Sequence, residues 1–234
     1  MPSSNLSLLT MHIVSIFSFS MVPLMILACP INFGYVRNIT WYDPTCFHAS
    51  SIISNNSQCC HTIKSLFSLG LARRLNVSSM FLLPDNHTSV SCLKDFQVEL
   101  ASLEVPTHWV STFLDPEYFV SSPSFSHRIE SLDDWFRIVG KKTLINSICK
   151  DNLFDNCINC LTAIRITYRT KLMLIDHSNE ESCLLLAQLY TAGSVNIHGL
   201  ESKDVASCIF HWMILLQICI IIAFWLNINM YLDM

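Results

Sequence analysis

Ten cysteines constrain this chain more than any other feature. Cys29, Cys46, Cys59, Cys60, Cys92, Cys149, Cys157, Cys160, Cys183 and Cys208 form an even set, and Cys219 lies apart in a C-terminal apolar run. An even set behind a secretory leader reads as a disulfide framework formed in an oxidising compartment. Residues 1–28 supply such a leader. They are apolar from residue 13 and end in the small Ala28, although the segment before them has no Lys or Arg. The spacings do not say which cysteines pair. Competing chemistry is weaker: Cys157-x-x-Cys160 has no βαβ pattern around it, as a redox pair would. No second CxxC or His-x3-His follows to complete a zinc site.

Apolar periodicity predicts helices between these cysteines. In Cys149–Asp176, residues Leu161, Ile164, Tyr168, Leu172 and Ile175 recur at steps of three and four, with Arg165, Arg169 and Lys171 mostly off the stripe. Residues 58–75 place Ile63, Leu66, Phe67, Gly70, Leu71 and Leu75 on one face. There Cys59 and Cys60 point about 100° apart and suit two different neighbours. A third stripe, Cys92, Phe96, Leu100 and Leu103, runs up to Pro106. Short helices are predicted around 108–121, from the capping-box spacing Ser131–Asp134 to Gly140, and over 143–149. Ser178–Glu181 is a full capping box opening a helix that ends near Gly193. Residues 29–57, rich in Pro, Gly, Asn and Asp, read as extended.

The fold class is therefore mainly α: a disulfide-stabilised helical extracellular domain with an extended N-terminal segment and a single C-terminal apolar span. The order is a signal peptide (1–28), the domain (29–208), a transmembrane helix (209–226) and a short tail (227–234). That span is near the lower length limit, with Trp212 and Trp225 as interfacial anchors. A net charge of -4 with no Lys/Arg run excludes a nucleic-acid partner.

No HExxH or GxSxG occurs, and no nucleophile–base constellation can be placed. No catalytic residue, metal or cofactor is expected. Asn38, Asn55, Asn76 and Asn86 head N-x-[ST] triplets and are candidate glycosylation sites on the surface. The aromatic-rich stretch 109–136 is the best candidate contact surface, with Trp109, Tyr118, Phe119, Arg128, Trp135 and Arg137 as binding residues. Core packing is the heavier competing account, because buried aromatics dominate core energetics.

Several pieces carry a resemblance: CPINFGYV at 29–36, Cys59-Cys60 before an apolar helix and SMFLLP at 79–84, and SCLKDFQ at 91–97. LDP-x-x-FV at 114–120, DNCINCLTA at 155–163 and LLLAQLYTAGSVNIHG at 184–199 complete the order. This order resembles the plant SPARK domain, the extracellular module of a group of receptor-like protein kinases that also occurs in GPI-anchored proteins. The resemblance covers residues 29–208. The family pattern carries cysteines at the positions of Phe113 and near Ser126, both absent here, and the resemblance implies that those two pair with each other. It also implies a non-catalytic cell-surface ectodomain that binds an extracellular ligand or receptor partner in signalling. The body would lie outside the plasma membrane, held by the C-terminal helix. Kinase motifs (a Gly-rich phosphate loop, VAIK, HRD, DFG) are absent from these residues, so the chain is expected to be either a kinase-less form or a fragment of a full receptor kinase. The rivals are a GPI-anchored protein cut at Ala192-Gly193-Ser194 and a secreted cysteine-rich carrier.

Overall fold

The computed structural model describes residues 28–39, 56–106, 108–121, 129–150, 153–174, 180–197, 199–200 and 206–210. Residues 1–27 of the leader, Cys46, Asn55, Arg128, the capping residue Ser178 and residues 211–234 lie outside them, as do the side chains of Cys59 and Cys60. Among the described residues the chain is helical, with two isolated β-bridges and no strand.

Helix α1, Asn56–Ser78, is the centre of the molecule. The expected stripe is buried, but so are Ser65, Ser68, Leu69 and Ala72 on its other sides. A helix buried on nearly all sides is a core helix, not a half-exposed one. Two glycine contacts let its neighbours approach closely. A Cβ on Gly70 would come within 2.8 Å of Ile31 Cγ2 and 2.9 Å of Phe33 Cε1. A Cβ on Gly193 would meet the Ala72 carbonyl oxygen at 2.5 Å. Gly193→Ala therefore forces backbone apart, and we expect it to lower stability by about 1–3 kcal/mol, read as a lower thermal midpoint in circular dichroism. An unchanged midpoint would mean that α1 and its neighbour have room to spare.

The N-terminal segment is not simply extended. Gly34–Asn38 winds into a 3-10 turn, and Ile31, Phe33, Tyr35 and Val36 pack inward. Tyr35 donates its hydroxyl proton to the Leu66 carbonyl, so the turn buries its rings against α1 without orphaning a polar group. Helix α2, Asn86–Ala101, is capped by Asp85, whose carboxylate accepts from the Thr88 amide at 2.7 Å. It ends before Pro106 because the chain turns at Glu104, in the left-handed region at φ 62°.

Residues 79–83 form a strap between α1 and α2. Phe81 N–H donates to Glu130 O and Leu83 N–H to Phe119 O, both at 2.9 Å. Arg74 of α1 donates to the carbonyls of Met80 and Leu82. Phe81, Leu82 and Leu83 are buried. The backbone groups of this buried, non-helical segment thus find partners outside any helix.

Helix α3 (His108–Phe113) and a 3-10 turn (Pro116–Phe119) replace the single helix expected at 108–121, because Pro116 cannot continue it. Helix α4, Leu132–Ile138, begins at a reciprocal Ser131–Asp134 capping box, and α5, Leu144–Ile148, at a reciprocal Thr143–Asn146 box. Burial alone would raise the Asp134 pKa. The Ser131 hydroxyl and the Arg137 guanidinium outweigh it, so the carboxyl sits below its ordinary value. A depressed folded pKa means the cap stabilises fully above the unfolded value and fades as pH falls below about 4. Ser131→Ala should cost about 1 kcal/mol at neutral pH, and the gap from the unaltered chain should narrow in acid melts. A gap independent of pH would refute the charged-cap account.

Helix α6, Leu153–Thr167, continues as a π-helical turn, Tyr168–Leu172. Leu161, Ile164, Tyr168 and Leu172 are buried as expected. Helix α7, Glu180–Tyr190, likewise ends in a π-helical turn, Thr191–Val195. Ala192 and Gly193 are buried there, which places the candidate GPI cleavage site inside the core.

Among the described residues, three disulfides join separate elements: Cys29–Cys92, Cys149–Cys160 and Cys157–Cys208. Cys183 is buried in α7. The last bridge holds a π-helical turn, Ala206–Phe210. Gln188 donates its amide to Ile209 O at 3.0 Å and Ser65 its hydroxyl to Phe210 O at 3.3 Å. Ile209 and Phe210 are fully buried. They belong to the domain core, so the expected span cannot begin at residue 209. Only residues 211–226 of that apolar run remain, and they lie outside the described residues. No helix among the described residues is long and apolar enough to cross a membrane.

Candidate functional site

Of the six candidate contact residues, Arg128 lies outside the described residues, and the other five divide into two buried, two half-buried and one exposed. Trp135 is fully buried, stacked on Tyr190 at 4.4 Å between ring centroids and 5.8 Å from Phe81. Phe119 is 1% exposed and lies 4.5 Å from Phe67 of α1. Both are core residues and not a contact surface. The reason lies in their helical positions: each is at the inward register of a short element packed on a larger one.

Trp109 and Tyr118 are half-buried. Helix α3 packs on α1 and the Pro116–Phe119 turn on α2, with Ser89 donating to Pro116 O at 2.8 Å. On this base the Trp109 and Phe113 rings stack at 4.9 Å and 13°, with His108 a further 4.8 Å from Trp109. Phe113 packs here by aromatic contact. The Trp109 indole nitrogen is buried and meets no acceptor. The Lys64 ammonium lies 5.9 Å from the Tyr118 ring centroid, within range of a cation–π contact. Arg137 is exposed and paired to Asp134 within α4. What the structure brings together is therefore a small aromatic ledge of His108, Trp109 and Phe113 on α3, with Tyr118 on the neighbouring 3-10 turn. Arg137 belongs to the capping box of α4.

Asn38, Asn76 and Asn86 are all exposed, as a glycan acceptor must be. Cys157 and Cys160 each pair elsewhere, which rules out a redox bridge between them. Among the described residues no group of three or more His, Cys, Asp or Glu is poised to hold a metal. Burial pushes the Tyr190 phenol above its ordinary pKa, against the hydrogen bond from Asn146 at 2.8 Å. That is the signature of a core tyrosine.

Periodicity missed one exposed feature. Ile158 is 79% exposed and Ile166 41%, both on the outer side of α6. Their signal was present: they are the apolar residues of α6 that fall off its buried stripe.

These features define a class of protein: a helical domain whose N-terminal segment, short helices and C-terminal turn are pinned by disulfides. The SPARK family model matches residues 26–184, and this chain belongs to the SPARK family. An Arabidopsis thaliana protein named as a probable receptor-like protein kinase is 32% identical over 186 residues. The match covers 78% of this chain and 30% of that relative's length. No solved structure matches the chain.

Proposed function

We propose that this chain is the non-catalytic, partner-binding ectodomain of a receptor-like protein of the plant cell surface. The observation that carries the reading is the alignment with part of a probable receptor-like protein kinase, coextensive with most of a disulfide-pinned domain. Buried disulfides at this density fit an oxidising compartment. Exposed sequon asparagines agree with passage through the secretory pathway. The aromatic ledge at α3 is one surface where a ligand or partner would bind, since half-buried aromatics are enriched at contact hot spots. In this reading the chain acts by recruiting or blocking a signalling partner, and it transfers no phosphate itself.

The test is surface labelling of intact cells expressing the full chain. The labelled protein should lose mass on enzymatic deglycosylation, and its cysteines should resist alkylation until reduced. A chain found only in the cytosol with reactive thiols would sink the proposal, and so would phosphotransfer by the purified chain.

A further inference from the structure

The outer face of α6 is built like a contact surface. Ile158, Thr162, Arg165 and Ile166 of α6 and Arg169 of the π-helical turn that continues it recur at steps of three and four, and all five are exposed. The hydroxyls of Thr162 and Thr170 donate to the carbonyls of Ile158 and Ile166, each at 2.8 Å. Their polarity is thus spent inside the helix. Leaving an isoleucine in water forgoes roughly 1.5–3 kcal/mol of burial, and here two stand beside two arginines. Arginine and apolar groups together are typical of the centre of a protein contact.

Charge and sequons single out the same region. Residues 137–174 hold seven Lys or Arg against two Asp, a net of +5, in a chain whose net charge is -4. Elsewhere the chain is acidic. The sequons at Asn38, Asn55, Asn76 and Asn86 all precede residue 89, and residues 89–234 contain none. Asn38 closes the turn that packs on α2, Asn76 ends α1 and Asn86 opens α2. Helix α6 packs instead on α5, α7 and the C-terminal turn. Bulky hydrophilic glycans would cover the first region and leave α6 bare.

We propose that the α6 face centred on Ile158, Arg165, Ile166 and Arg169 docks an acidic surface of a different protein. This rests on the partner-binding reading above and names the surface and the chemistry of the partner. The isoleucines favour a protein over a plain polyanion, which would use the cations alone. A second copy fits less well. Of the chain's own exposed carboxylates, Asp85, Asp95 and Glu117 lie on or beside the elements that carry sequons, whereas Glu130 and Asp133 lie at the start of α4.

The experiment places a photo-crosslinking amino acid at Thr162, and separately at Tyr118, in the full chain on its own cell surface. The Thr162 probe should capture a foreign protein through an acid-rich peptide. Arg165→Glu with Arg169→Glu should cut the yield about tenfold or more, and Ile158→Asp should do likewise, with thermal midpoints unchanged. Raising salt from about 0.15 M to about 0.5 M should also lower the yield. Capture at Tyr118 alone would overturn the α6 face while leaving the partner-binding reading standing. Capture at neither position would overturn both. A product of doubled mass, a captured polysaccharide, or a yield indifferent to charge reversal would each overturn the α6 assignment.

Discussion

Trp135→Ala should cost the domain about 3–5 kcal/mol, as large a loss as any single truncation here. Its indole is fully buried between Tyr190 and Phe81, and neighbours fixed on two separate elements cannot close the space. Against a total stability of about 5–15 kcal/mol, the variant would be partly or wholly unfolded near physiological temperature. Urea titration followed by circular dichroism reads this directly. Tyr118→Ala is the control. It removes a half-buried ring and a cation–π contact worth about 0.5–1 kcal/mol, so its midpoint should move little. If Trp135→Ala kept its midpoint and lost only partner binding, Trp135 would return to the contact surface and the core described here would be wrong.

Removal of the Cys157–Cys208 bridge by paired serine substitution should destabilise the domain by about 2–4 kcal/mol. The bridge spans 51 residues, against 11 for Cys149–Cys160. On the chain-entropy account the longer loop should cost about 1 kcal/mol more than the shorter when each pair is removed. The local consequence is more specific. Without the bridge, Ile209 and Phe210 are held in the core by their packing and by the hydrogen bonds from Gln188 and Ser65. Amide exchange at the C-terminal turn should therefore speed up before it does in α1. Equal losses for the two pairs would show that native-state packing, and not loop closure, sets the contribution of each bridge.

The sites divide along the same physical line as these two variants. Trp109 and Trp135 look alike in the sequence: each is an aromatic in a short, Pro- or Gly-bounded segment. Only the direction in which its helix packs makes one a half-exposed ledge residue and the other a core residue. Phe119 is separated from Tyr118 by a single position, and a 3-10 turn sends one ring into α1 and the other outward. The exposed isoleucines of α6 were legible as departures from a stripe, but their accessibility depends on what packs beside them. The burial of Ile209 and Phe210 was hidden for a similar reason. An apolar run reads the same whether its first residues enter a lipid bilayer or a protein core.

The sequence by itself determined what is local: the helices, through their three-and-four spacing, the Ser131–Asp134 box, and the break at Pro116. Each depends on groups within about one helical turn of one another, whose geometry hardly varies with context. The ten cysteines also determined that the domain would be held by bridges. Which sulfurs meet was decided by the tertiary structure alone. Cys29 meets Cys92 because the Phe33–Val36 turn fits over Gly70 of α1, and Cys208 meets Cys157 because the C-terminal turn is received between α1 and α7. Those contacts join residues far apart in the chain, and only the close packing of a shared core brings them within bonding distance.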